Sequence, residues 1–134
     1  MKILAILVLA LLAAMAYVRL SPNDPARWHQ PIKGDRSKDF KAGAIRVIPG
    51  TEQDFESLQD IALGWPHTRV LAGSVEEGRI TYITRTAFWG FPDFTTVERR
   101  DGTIALYARL RFGGSDLGVN AKRLDAWIDA LAQR

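Results

Sequence analysis

Residues 79–120 read RITYITRTAFWGFPDFTTVERRDGTIALYARLRFGGSDLGVN. Alternation predicts a long strand from Arg79 to Trp89, with Ile80, Tyr82, Thr84, Thr86 and Phe88 on one face. Ile83, Arg85, Ala87 and Trp89 fall on the other. Gly90-Phe91-Pro92-Asp93 reads as a structural corner, where glycine relaxes the backbone and proline fixes it. Phe94 to Arg99 returns, and Asp101-Gly102 is a strong signal for a two-residue hairpin. Thr103 to Phe112 then alternates cleanly. Ile104, Leu106, Ala108, Leu110 and Phe112 point toward a core, and Ala105, Tyr107, Arg109 and Arg111 point away.

Working outward, Thr68 to Val75 reads as another strand, joined to the long one by the turn Glu76-Glu77-Gly78. Before it, Thr51 is a good helix cap with Glu52 and Asp54 in the first turn. Phe55, Leu58, Ile61 and Ala62 then form one apolar stripe, ended by Gly64 and Pro66. A closing helix is expected from Asn120, as its cap, to about Ala132, with Ala121, Leu124, Trp127, Ile128 and Leu131 on its apolar side. The expected class is α+β: an antiparallel β-meander of four or five strands, the fifth a short edge strand at Ala44–Ile48, with two helices packed on the face that carries Ile104, Leu106 and Leu110. The opposite sheet face is expected to stay open and more polar.

Ile3 to Val18 carries no charge and is flanked by Lys2 and Arg19. As a helix it would span about 24 Å, slightly short of a hydrocarbon core of about 30 Å. Two readings stay open: a signal peptide cleaved after Ala14-Met15-Ala16, or an uncleaved anchor with Tyr17 and Arg19 at the interface. The anchor is preferred, because the run passes into RLSPNDPARWH without a small-residue linker. The expected organisation is an anchor or signal peptide at 1–19, an extended proline-rich arm at 20–50 with Trp28 and Phe40 docking it, and one α+β domain at 51–134. In a Gram-negative cell this makes a single-pass inner-membrane protein facing the periplasm, or a periplasmic one after cleavage.

The chain has 134 residues, of which 47% are hydrophobic and 25% charged, an ordinary globular composition. It has no cysteine, which removes disulfides, thiolate catalysis and cysteine-based metal sites. His29 and His67 lie far apart and outside any metal-ligand spacing, so neither a metal nor a cofactor is expected. A net charge of +3 without a nucleic-acid motif argues against nucleic acid.

Three features carry candidate chemistry. Arg109 and Arg111 share a strand face about 7 Å apart, with Arg85 and Arg69 on neighbouring segments. With Tyr107 they would hold a phosphate, carboxylate or lipid headgroup by charge-assisted hydrogen bonds; the alternative is pairing with Asp93, Asp116 or Glu98. GGSDLGVN, with Ser115, Asp116 and Asn120, brings free N–H groups to the start of a helix, which suits an anion unless Asp116 caps them. The corner Gly90, Phe91, Pro92 and Asp93 is structural or one wall of a pocket. Asp93 with Asp116 would be the carboxylate pair of an acid–base mechanism if they met. No serine has a histidine in a suggestive context, so no catalytic residue is assigned.

TRVLAGSVEEGRITYITRTAFWGFPDFTTV (68–97), ARLRFGGSDLGVN (108–120) and RLSPNDPARWH (19–29) resemble the bacterial family filed as domain of unknown function 1499. The resemblance implies an exported or membrane-tethered α+β domain and supplies no reaction. Gly114 stands where the family usually carries a basic residue, which implies a weaker anion site here. The preferred functional expectation is a non-enzymatic, membrane-tethered module that binds an anionic small molecule or lipid headgroup. The alternatives are an envelope hydrolase using Asp93 or Asp116, and a scaffold that meets an envelope protein partner through its open sheet face.

Overall fold

The structure is a computed structural model describing residues 1–134. The apolar N-terminal run forms helix α1 (Lys2–Leu20) with none of its residues buried. A single turn, α2 (Pro25–Trp28), follows, begun by proline and capped by the Asp24 side chain on the Ala26 N–H at 3.0 Å. Strands β1 (Lys38–Phe40) and β2 (Gly43–Pro49) precede helix α3 (Glu52–Leu63). Then come β3 (Thr68–Ser74), β4 (Arg79–Arg85), β5 (Pro92–Arg99), β6 (Thr103–Leu110) and helix α4 (Val119–Ala132).

All six strands make one antiparallel sheet in the order β1-β2-β6-β5-β4-β3. The meander expected from Thr68 onward is present. The strand count is higher than expected, and β2 is no edge strand: it pairs with β6 from Gly43↔Arg109 to Pro49↔Thr103, with β1 outside it. The stretch 20–50 therefore supplies two strands to the sheet as well as an arm.

The core is the helix-facing side. Phe55 and Leu58 of α3, with Leu124 and Trp127 of α4, pack on Ala44, Ile80, Tyr82, Val97, Ile104, Leu106 and Ala108. The α3 stripe sits there because Thr51 and Asp54 form a reciprocal capping box, with the Asp54 N–H on Thr51 Oγ1 at 3.1 Å and the Thr51 N–H on Asp54 Oδ2 at 2.8 Å. Phe112 falls beyond the end of β6; it packs edge-on against Tyr17 of α1 and beside Phe91.

β4 stops at Arg85, short of the expected Trp89. Thr86 closes a loop instead. Its N–H donates to the Phe91 carbonyl at 3.0 Å, and its hydroxyl accepts from the Phe91 N–H at 2.9 Å. Gly90 makes the reversal in the left-handed region (φ 74°), beneath the Arg19 side chain, where a Cβ would meet Arg19 Cγ at 3.0 Å. The corner thus begins earlier than Gly90, and Pro92 and Asp93 already belong to the buried strand β5.

The second sheet face is covered. Residues 21–34 lie across it: Trp28 stacks on Phe94 (4.0 Å between centroids, 13° between planes), and Ile32 packs with Ile45 and Ala105. Ala105, expected to face outward to solvent, is fully buried for this reason. Where the arm crosses β3, Gly73 is required: a Cβ there would lie 2.1 Å from the Arg79 carbonyl oxygen and 2.7 Å from His29 Cε1.

Candidate functional site

The strand arginines divide into two groups. Arg109 and Arg111 hold the arm. Arg109 donates to the Trp28 carbonyl, to Thr96 Oγ1 (2.8 Å) and to the Tyr107 carbonyl (3.1 Å), and lies over the Tyr107 and Trp28 rings. Burial without a carboxylate lowers its pKa to about 10, so it stays charged at neutral pH. Arg111 donates to the Pro22 carbonyl (2.9 Å), Asn23 Oδ1 (2.6 Å) and Ser21 Oγ (2.8 Å). Their acceptors are neutral, where the sequence had left carboxylate pairing open.

A polar ladder runs under the arm beside them. His29 bridges Glu77 (2.8 Å) and Thr81 Oγ1 (2.8 Å), Thr81 meets Thr96 at 2.8 Å, and Thr96 accepts from Arg109. Acid, imidazole and hydroxyl stand in the order of a nucleophile relay, but Thr81 and Thr96 are fully buried and no substrate reaches them. The ladder is a latch for the arm.

Arg69 and Arg85 form the second group. With Arg19, Leu63, Trp65, His67, Thr68 and Gly90 they line a cleft of about 480 Å³ at the sheet edge next to the end of α1. No carboxylate lines it. By contrast Arg46 is matched to Asp39 and Asp125, Arg79 and Arg100 to Glu98, and Arg99 to Glu52. Arg85 spends one donor on the Gly90 carbonyl at 2.8 Å, and Arg19 reaches the Phe88 carbonyl. Burial, then the like charges of Arg69, Arg19 and Arg111, lower the pKa of Arg85. His67 holds the cleft wall with a left-handed backbone (φ 56°), its carbonyl accepting the Arg85 N–H at 3.0 Å.

Asp93 and Asp116 do approach one another, through two intermediaries and inside the protein. Arg123 of α4 donates to Asp93 Oδ2 (3.1 Å) and to Asn120 Oδ1 (2.6 Å), and Asn120 Nδ2 donates to Asp116 Oδ2 (2.9 Å). Asp116 also accepts the Gly118 N–H (2.9 Å) and the Asn120 N–H (3.1 Å). It therefore closes the helix start that was a candidate anion site, while Ser115 accepts the Leu117 N–H at 3.3 Å. The cap expected at Asn120 is displaced: α4 starts at Val119 after Gly118 (φ 82°), and Asn120 is buried in the first turn. Burial raises the pKa of Asp93, opposed by Arg123. Asp116 lies below its ordinary value: burial works against this, and the bonds from Asn120 and Gly118 outweigh it. This chain of bonds ties GFPD to GSDLGVN and fixes α4 to the start of β5.

A family profile described as "Protein of unknown function (DUF1499)" matches residues 17–131. The chain belongs to this family. The matched region of the DUF1499 chain starts at Tyr17, so it takes in the arm as well as the sheet and both packed helices. No curated protein matches the chain.

Of the residues singled out by sequence, the structure brings Arg69 and Arg85 together in the cleft. Tyr107, Arg109 and Arg111 lie under or beside the arm, and Ser115, Asp116 and Asn120 sit in the turn into α4. Arg19 and His67 were missed. Arg19 had a visible role as the charge ending the apolar run, and nothing local in the sequence shows that the chain folds it back over Gly90.

Proposed function

We propose that this DUF1499 protein is a membrane-tethered binding module, facing the periplasm in a Gram-negative cell, that holds an anionic group between Arg19, Arg69 and Arg85. The observation that carries the reading is the set of three guanidinium groups around one cleft with no carboxylate among its lining residues. Guanidinium groups held by carbonyls keep their charge and present remaining N–H donors to a phosphate or carboxylate. The tether is α1, long and apolar enough to cross a membrane, with a mean hydropathy of 2.5 over its best window. Arg19 belongs to both parts, which places the cleft at the end of the apolar helix.

The test uses the full chain in detergent, with inorganic phosphate titrated against chloride at constant ionic strength. The melting temperature should rise with phosphate, and Arg69→Ala should abolish most of that rise. Arg69 is exposed and makes no ion pair in the fold, so its loss leaves the domain intact. An equal phosphate response in wild type and Arg69→Ala refutes the cleft as the site.

A further inference from the structure

The loop Thr86–Phe91 carries Phe88, Trp89 and Phe91, which are 68%, 39% and 38% exposed. These rings form one group: Phe88 meets Trp89 edge-on at 5.0 Å, and Phe91 lies 6.5 Å from both Trp89 and Phe112. Three exposed aromatic side chains within four residues are unusual on a soluble surface. The loop does not project into open solvent. Trp89 and Phe91 lie along α1 across a small, wholly apolar gap of about 150 Å³, facing Leu11, Ala14, Met15 and Val18. Leu11 stands about 13 Å along the helix axis from Leu20. The aromatic side chains therefore reach back beside the apolar segment, past its last two turns.

The two ends of the loop are closed by internal bonds. The N–H groups of Thr86, Gly90 and Phe91 donate to the Phe91 carbonyl, the Thr86 carbonyl and Thr86 Oγ1. The N–H groups of Ala87, Phe88 and Trp89 between them have no protein partner, which sets the loop at interfacial depth, where water and headgroups reach the backbone. The Phe88 and Gly90 carbonyls accept from Arg19 and Arg85. The two arginines bind the loop from the domain side, where the guanidinium groups stand at headgroup level if α1 spans the bilayer. We infer that Phe88, Trp89 and Phe91 insert into the bilayer beside α1, as a second membrane contact that holds the domain flat on an anionic lipid surface. This rests on reading α1 as membrane-spanning. It is separate from the anion cleft, since insertion requires no bound anion.

The absence of cysteine makes the test direct. The single variants Phe88→Cys, Leu9→Cys in α1, and Asp101→Cys in the hairpin at the opposite end of the sheet are labelled with an environment-sensitive fluorophore. The full chain is then reconstituted into vesicles of phosphatidylcholine with phosphatidylglycerol, with and without doxyl-labelled lipid. The expected result is blue-shifted, doxyl-quenched emission at positions 9 and 88 and aqueous, iodide-quenched emission at 101. Quenching at 9 with an aqueous signal at 88 overturns the insertion and leaves the tether standing. Aqueous signals at both overturn the tether and the insertion together. Blue-shifted emission at 88 that doxyl lipid fails to quench means a second protein copy covers the loop, and also overturns the insertion.

Discussion

Arg109 is the cation whose environment says most about the molecule. A buried guanidinium costs solvation free energy, and here three oxygen acceptors and two aromatic faces offset it without a counter-ion. Replacing it by methionine keeps the apolar stem and strips the donors, leaving the Trp28 carbonyl unmatched and Thr96 with Thr81 as its remaining side-chain partner. The expected loss is about 2 kcal/mol by urea denaturation, with faster amide exchange confined first to residues 28–32. Uniform loss of protection across the sheet would contradict the latch. Leu117 poses the opposite case. It is 87% exposed and held in the left-handed region (φ 54°), so its side chain buries almost nothing while its backbone is strained. Leu117→Gly should therefore stabilise the chain by about 1 kcal/mol, read as an upward shift of the melting temperature. At this scale the sequence drew attention to arginine on strands, and two of those positions, Arg69 and Arg85, line the cleft. Strand alternation put Arg85 and Arg109 on one face, but it has no means of showing that a proline-rich arm claims one of them and frees the other.

Among the elements, the arm and the start of α4 are the pieces held by carboxylates, so acid should loosen them first. Glu98 sits below its ordinary value of 4.5: burial works against this, and the bonds from Arg79 (2.9 Å), Arg100 (3.0 Å) and the Ile32 N–H (3.3 Å) outweigh it. Asp116 is likewise depressed. A group with a depressed folded-state pKa gives its full stabilisation above the unfolded value and loses it as pH falls through the folded one. Glu98 should therefore weaken the fold as pH falls below its unfolded value of 4.5, and Asp116 as pH falls below its unfolded value of 3.8. Asp93 runs the other way, since burial raises it and protonation relieves a cost. Urea midpoints measured from pH 7 to pH 3 should fall, and Glu98→Gln should flatten part of that fall while lowering stability at pH 7. A Glu98→Gln profile parallel to wild type would exclude Glu98 from the transition. The elements themselves were largely legible. Alternation located the four strands of the meander, Asp101-Gly102 the hairpin, and Thr51 the start of α3. The misplaced boundaries share a cause: Thr86 and Asp116 bond to nearby backbone and end or begin an element where apolar periodicity continues unbroken.

For the whole molecule the decisive relation is between α1, the arm and the sheet. Arg111 holds residues 21–23, Arg85 reaches the Val18 carbonyl at 3.4 Å, and Tyr17 meets Phe112, so the helix is clamped to one end of the domain. The arm then crosses the full sheet face, anchored by Trp28 on Phe94 and by Ile32 between Ile45 and Ala105. Two truncations separate these roles. Removing residues 1–20 takes away an element with no buried residue and leaves every arm contact to the sheet in place. That product should be a soluble monomer melting within a few degrees of the full chain. Removing residues 1–36 uncovers Phe94, Ile45 and Ala105, strips Arg109 of its Trp28 partner and opens it to solvent. The loss of the Trp28 stack alone is worth about 3 kcal/mol, so melting should fall by roughly ten degrees or more. The bared apolar face should also drive association, visible by light scattering. If the shorter product instead melts with the longer one and stays monomeric, the arm is a passenger on the sheet, and the Arg109 latch contributes nothing to the fold. The physical reason to expect otherwise is that a sheet with one helix-packed face and one half-apolar face needs cover on both sides, and this chain supplies the second cover from the segment that follows α1.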